Sequence, residues 1–262
     1  MAHPMTFAVA AELYDRFVGR YGEPLARELA AVAGIEAGMR ALDVGAGTGK
    51  LTGVLVDLLG AENVAAIDPS EPFVDALGER FPAGEVLQAK AEDLPFEDGR
   101  FDAALAQLVV NFLADPERGA KEMRRVVREG GVVAGAVWDY RGRMTLLTRF
   151  WEAAAAVDGR GAAARDERTR MRFGDLDELI GLWGDAGLRG VEGGEIVVFA
   201  SYAGFDDLWE PFLGGVGPAG DYVLSLEPEA KRTLRKEYFR RLGSPDGPFQ
   251  LEARAWYAVG RK

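Results

Sequence analysis

A chain of 262 residues with 48% hydrophobic content is long enough to bury a sizeable core, either as one large domain or as a domain carrying insertions. Its 42 acidic residues outnumber its 31 basic ones, and the resulting net charge of −11 disfavours nucleic acid and other phosphate-rich partners, which need a positive field. The absence of cysteine excludes disulfides, thiolate metal sites and cysteine nucleophiles, and one histidine, His3, offers little for acid/base or metal chemistry, so no metal is expected. No basic segment followed by an apolar run opens the chain, and no stretch approaches the roughly 20 apolar residues of a membrane span, so a cytoplasmic protein without a membrane partner is expected.

In chain order, the first strong signal is Ala41-Leu42-Asp43-Val44-Gly45-Ala46-Gly47-Thr48-Gly49, a hydrophobic strand joined to a helix through alternating glycines with an acid just ahead. Glycine takes positive φ and lets a ligand come close to the main chain, so this is the shape of a nucleotide-binding turn. The dinucleotide pattern G-x-G-x-x-G, counted from Gly45, would need glycine at Lys50; the third glycine stands one residue early. A P-loop is excluded because Gly49-Lys50 is followed by Leu51 and not by a hydroxyl residue.

Leu51, Val54, Leu55, Leu58 and Leu59 then recur on one helical face, which Gly60 ends. Residues 63–67 read as a second buried strand ending at Asp68, and Ser70 is placed to cap a helix with Phe73, Val74, Leu77 and Phe81 on its inner side. Short strands follow at 85–89 and 101–108. Asp115-Pro116 is an N-cap with proline at the first helical position, with Ala120, Met123, Val126 and Val127 turned inward and Gly130 closing the helix before a fifth strand at 131–138. Strands and helices alternating in this way predict an α/β fold: a parallel sheet with right-handed crossovers and helices on both faces.

Beyond residue 140 the rhythm breaks. Residues 141–172 predict a helical insertion around Phe150 and Trp151, and Asp175 with Glu178 forms a capping box ahead of Leu176, Leu179, Ile180 and Trp183. Residues 195–200 read as a strand, a second insertion covers 203–248, and the alternation Leu251, Ala253, Ala255, Tyr257, Val259 predicts a last strand. A single domain over 1–262 with two insertions is the economical reading. The basic run Lys231, Arg232, Arg235, Lys236, Arg240, Arg241 shares its helix with Leu226, Ala230, Leu234 and Tyr238, so it reads as a solvated face.

In an open parallel sheet the ligand sits beyond the C-terminal strand ends. Asp43, Asp68 and Glu92-Asp93 stand at or beside three such ends. Asp68 is placed to accept hydrogen bonds from both hydroxyls of a ribose, Glu92-Asp93 to meet the exocyclic amine of an adenine, and Asp43 suits positive charge on the ligand. Adenosine with a cationic tail satisfies all three.

The pattern resembles the class I S-adenosylmethionine-dependent methyltransferases. "LDVGAGTG" is similar to their first motif, "VAAIDPS", which includes Pro69, to the acidic end of their second strand, and "AEDLPFEDGRFDAALAQLVVNFLADP" to the type-11 methyltransferase signature. The resemblance covers roughly residues 10–140 and extends more loosely through "VWDY" and "FDDLWEPFLGGVGPAGDY". It implies a Rossmann-like, seven-stranded, mostly parallel sheet with helices on both faces, and S-adenosyl-L-methionine as cofactor. Carried over by position, Gly45, Ala46 and Gly47 would contact the methionine part, Asp68 and Pro69 the ribose side, Ala91 and Glu92 the adenine, and Gln107 and Leu108 the methyl-transfer side. The segment "YDRFVGRY" resembles the leading helix of the family, within an N-terminal helical segment over residues 1–36, and puts Tyr14 and Arg20 forward for the cofactor's carboxylate end. In such relatives a histidine often stands where this chain has Asn111.

The reaction implied is methyl transfer, by in-line displacement, to a small, partly apolar acceptor, with the two insertions as a cap over the acceptor. A hydroxyl acceptor would also need a proton sink, for which Asp139, Tyr140 and Glu210 are the candidates. The rival readings are a nicotinamide-dependent oxidoreductase, against which the glycine spacing counts, and a non-catalytic S-adenosylmethionine-binding regulator.

Overall fold

The computed structural model describes residues 13–262; His3 lies outside the described residues, as does the start of the N-terminal helical segment. A short turn of helix at Val18–Tyr21 leads into α1 (Gly22–Val32), then β1 (Ala41–Val44), α2 (Lys50–Leu59), β2 (Val64–Asp68), α3 (Glu71–Arg80), β3 (Glu85–Gln88), β4 (Phe101–Gln107), α4 (Pro116–Val126) and β5 (Val127–Trp138). Helices α5 (Thr145–Val157), α6 (Gly159–Ala163) and α7 (Leu176–Asp185) follow, then β6 (Arg189–Tyr202), α8 (Phe205–Leu213), α9 (Gly217–Ser225), α10 (Pro228–Arg241) and β7 (Phe249–Arg261).

The sheet has seven strands in the order β3-β2-β1-β4-β5-β7-β6. β1 pairs in parallel with β2 and with β4, β2 with β3, and β4 with β5, whereas β7 runs antiparallel to β5. Strands buried on both sides read as near-continuous apolar runs, and every residue of β1 and β2 is indeed buried. Strand order reverses between β1 and β4, which makes the crevice beyond their C-terminal ends the topological switch point.

The chain divides into two compact units. A sheet unit comprises Gly22–Trp138, Arg172–Ile196 and Ala255–Lys262; a helical unit comprises the described residues up to Tyr21 together with Asp139–Met171 and Val197–Arg254. The helical unit has an aromatic core of its own: Phe150 stacks on Phe212 at 4.5 Å between centroids, Phe17 meets Phe212 edge-on, and Tyr238 donates its buried hydroxyl to the Leu146 carbonyl at 3.0 Å. On α10, Leu234 and Tyr238 are buried while its arginines face carboxylates: Arg232 pairs with Glu229, Arg235 with Asp206, and Arg240 and Arg241 with Glu237.

Local chemistry accounts for most boundaries. Asp115 caps α4 by accepting from the Arg118 N–H, and Asp175 caps α7 by accepting from the Glu178 N–H while the Glu178 carboxylate returns to the Gly174 N–H. Three expectations are corrected. Ser70 occupies the N-cap of α3, but its side chain makes no cap bond. α4 ends at Val126 and not near Gly130, because Val127 already pairs with Phe101 and begins β5. Leu58 is 45% exposed, since the buried stripe of α2 shifts toward Thr52, Leu55 and Leu59.

Candidate active site

Within the sheet unit, the turn from β1 to α2 shows why glycine recurs there. All three glycines hold positive φ: 74° at Gly45, 52° at Gly47 and 77° at Gly49. Their surroundings differ. A Cβ on Gly45 would lie 2.4 Å from Val109 Cγ2, and one on Gly49 would lie 2.5 Å from Leu77 Cδ2, so packing inside the protein forbids a side chain at both. A Cβ on Gly47 would meet nothing within 4 Å. Gly47 is therefore the glycine that leaves the backbone open to an incoming molecule.

Asp68 fastens this turn to the end of β2. The Gly47 N–H donates to its Oδ2 and the Ser70 N–H to its Oδ1, both at 2.9 Å, while the N–H groups of Gly45 and Ala46 both donate to the Ile67 carbonyl at 2.9 Å. This explains the silent Ser70 side chain: the carboxylate two residues earlier already organises the start of α3. Each Asp68 oxygen accepts one N–H, and a carboxylate has about four acceptor positions, so capacity remains for two hydroxyls. Pro69 continues the turn, and its carbonyl accepts from Gln88 Nε2 at 3.0 Å.

Asp43, expected to face positive charge on a ligand, is only 1% exposed, and the Thr52 hydroxyl donates to its Oδ2 at 2.6 Å. Burial, and to a smaller extent the nearby Asp68 charge, push its carboxyl up to about 7 against the opposing Thr52 bonds. The geometry makes Asp43 a tether between β1 and the first turn of α2. The sequence reading missed Thr52, although a hydroxyl residue in the first turn of a helix following a strand-end acid was a usable signal.

Further along the same edge, Ala91 is buried, and Glu92 Oε1 accepts from the N–H groups of Ala114 and Asp115 at 3.0 and 3.2 Å. Glu92 thus holds the approach to α4, and its Oε2 accepts no hydrogen bond from the described residues. Gln107, the last residue of β4, donates from Nε2 to the Gly22 carbonyl at 2.9 Å, while its Oε1 is buried and accepts from no described residue. Leu108 follows with φ of 61°, a left-handed conformation that costs a non-glycine residue about 1–2 kcal/mol, and its N–H donates to the Ala136 carbonyl at 2.8 Å. Strain of this kind clusters at ligand-facing positions. Asn111 is buried just beyond.

The remaining candidates belong to the helical unit. The Tyr14 ring is 39% exposed. Arg20 donates from Nε to the Arg16 carbonyl at 2.6 Å and from one terminal nitrogen to the Ser201 carbonyl at 3.0 Å, pairs with Asp207 through the other, and lies over the Tyr202 ring. Asp139 is buried; Arg254 donates to its Oδ2 from two nitrogens at 3.0 and 2.7 Å, and the Arg143 N–H donates to the same oxygen at 2.8 Å. With three donors on one oxygen, Asp139 is held in place, which favours a positioning role. Tyr140 is buried beside it in sequence, and Glu210 is exposed and paired with Arg16. Among the described residues no group of three or more metal-ligating side chains is present, and no helix is long and apolar enough to cross a membrane.

The fold and the glycine turn are similar to those of the class I S-adenosylmethionine-dependent methyltransferases, and the similarity in sequence is confined to part of the chain. Within that class, residues 42–135 match the family model for the methyltransferase domain, Methyltransf_11. An uncharacterized methyltransferase of Mycobacterium tuberculosis is 40% identical over 105 residues, which make up 40% of this chain and 42% of the relative. The chloroplastic 2-methyl-6-phytyl-1,4-hydroquinone methyltransferase 2 of Oryza sativa is 36% identical over 96 residues, 36% of this chain and 28% of the relative. The chain thus spans less than half the length of these curated relatives. Among solved structures, the YcgJ protein of Bacillus subtilis shares the fold with a TM-score of 0.56 at 18% identity, covering 90% of this chain and 98% of that one.

The methyl donor implied by this domain is S-adenosylmethionine, and the residues present fit it. Gly47 leaves the turn open, Asp68 and Glu92 retain acceptor positions for hydroxyl and amine donors, and Gln107 Oε1 is a buried acceptor without a donor among the described residues.

Proposed function

We propose that the chain transfers a methyl group from S-adenosylmethionine to a small, partly apolar acceptor. The observation that carries this reading is the pairing of an open Gly47 with the Asp68 carboxylate at the switch point of the sheet. In the reading, Asp68 takes the ribose hydroxyls, Ala91 and Glu92 the adenine, the Gly45–Gly47 turn the amino-acid end, and Gln107 and Leu108 line the reacting side. When bound, the cofactor supplies a sulfonium methyl group open to in-line attack.

Little covalent machinery is required of the protein. Its task is to hold two molecules in line, and well-oriented reactants reach large effective molarities. Gln107 Oε1 is available to accept a hydrogen bond from an acceptor N–H or O–H, and the apolar Ala91 and Leu108 limit the access of water. The relative named for a phytyl hydroquinone supports an acceptor with an apolar body. The test is transfer of a labelled methyl group from S-adenosylmethionine into metabolite fractions ordered by polarity. Label in the less polar small-molecule fractions supports the reading; label confined to protein or nucleic acid overturns the acceptor class.

A further inference from the structure

The helical unit contains an open cavity of about 430 Å³ lined by Arg165, Glu167, Arg170, Met171, Pro218 and Asp221. Four of these six residues are charged, and among the described residues none of the four forms an ion pair, in a unit where most neighbouring arginines do: Arg168 pairs with Asp166, Arg149 with Glu152 and Arg241 with Glu237. Arg165 lies over the Tyr222 ring at 5.9 Å, and among the described residues Arg170 donates only to the Ala164 carbonyl.

Glu167 is the decisive residue. It is only 6% exposed, yet it lines the cavity; its Oε1 accepts from the Trp151 indole N–H at 3.3 Å, and its Oε2 accepts from no described residue. A carboxyl so deeply buried is costly unless it has partners. One step from Asp221, the hydroxyl of the fully buried Tyr222 also bonds to no described residue. Burial raises the Glu167 carboxyl to about 7, with Asp166 adding to the shift against the Trp151 bond. A cationic donor would return it to its ionised form.

We propose that this cavity binds a small zwitterion of the α-amino-acid type, its carboxylate toward Arg165 and Arg170 and its ammonium toward Glu167 and Asp221. A simple anion would leave two carboxyl groups unmatched, and a simple amine would leave two guanidinium groups unmatched. A molecule with both charges matches all four, and Met171 and Pro218 supply an apolar wall for its side chain. The site lies wholly within the helical unit, so it stands independently of the methyl-transfer reading.

The test titrates the full chain with each of the twenty standard α-amino acids by calorimetry or saturation-transfer NMR. The strongest binder is then compared with its decarboxylated amine and its deaminated acid. The expected result is a dissociation constant of about 1 mM or lower for at least one amino acid, with each single-charge analogue at least about ten-fold weaker. Glu167→Gln and Arg165→Ala should each weaken that binding by about ten-fold, while S-adenosylmethionine titrates as in the wild type and circular dichroism reports an intact fold. Binding to none of the twenty amino acids overturns the proposal, as do analogues that bind as tightly as the zwitterion or variants that both bind like wild type. Amino-acid binding without S-adenosylmethionine binding would uphold this site and sink the methyltransferase reading.

Discussion

The backbone N–H of Gly47 donates to Oδ2 of Asp68 at 2.9 Å, so the turn after β1 and the end of β2 form one rigid ledge. On the proposed reading the carboxylate has two tasks, fixing the loop and offering its remaining acceptor positions to a ribose. Asp68→Ala should therefore weaken S-adenosylmethionine binding by ~1.5–3 kcal/mol, the usual range for hydrogen bonds to a charged group. Titration of the folded variant checks it, and an unchanged dissociation constant would remove Asp68 from the site.

Two glycines of the same turn should respond differently to alanine. Both require a left-handed residue, so each substitution carries about 1–2 kcal/mol of backbone strain. At Gly45 the new methyl also strikes Val109, 2.4 Å away, adding about 1–3 kcal/mol of overpacking, whereas at Gly47 it enters open space. Gly45→Ala should show the larger drop in melting temperature, and Gly47→Ala the larger loss of cofactor affinity relative to its stability change. Equal affinity losses at matched stability would contradict the assignment of Gly47 to the ligand.

Much of this ledge was legible in the sequence because its chemistry is local. The alternating glycines, the acid ending β2 and the caps at Asp115 and Asp175 all act within a few residues of themselves. Other features depend on contacts that sequence spacing does not reveal. Leu108 carries positive φ with no glycine or asparagine to announce it. Asp43 looked ligand-facing because strand-end acids often are, yet its place is fixed by Thr52, one turn into the next helix. Arg20 was put forward for the cofactor's carboxylate end, and its pairing with Asp207, 187 positions away in the chain, leaves no mark on local spacing. The end of α4 was misplaced because pairing of Val127 with Phe101 outweighed the local helix signal and the stop at Gly130.

Stability should change with pH through two buried carboxyls. Asp43 and Glu167 each have a folded value raised to about 7 by burial. A raised carboxyl binds its proton more tightly in the folded state, so its stabilisation is fully present below the unfolded value near 4 and is lost as pH rises through about 7. Asp43→Asn and Glu167→Gln should each flatten the fall in unfolding free energy between about pH 4 and pH 7, measured by urea titration at each pH. A slope unchanged in both variants would contradict the burial argument.

Asp139→Asn separates a positioning role from a proton-accepting one. Losing one partner of the Asp139–Arg254 pair should cost about 2–4 kcal/mol, discounted from a fully buried pair because the Arg254 side chain is 20% exposed. The pH profile of kcat per folded molecule should keep its shape. Loss of an ionisation from that profile at unchanged stability would make Asp139 the base.

On the proposed reading, the open Gly47 and Asp68 mark a cofactor site for S-adenosylmethionine. Calorimetric titration of the pure protein with S-adenosylmethionine and with S-adenosylhomocysteine tests it most directly. The account predicts saturable, one-to-one binding of both that weakens in Asp68→Ala and Gly47→Ala; a folded wild-type protein giving no heat with either ligand would contradict it.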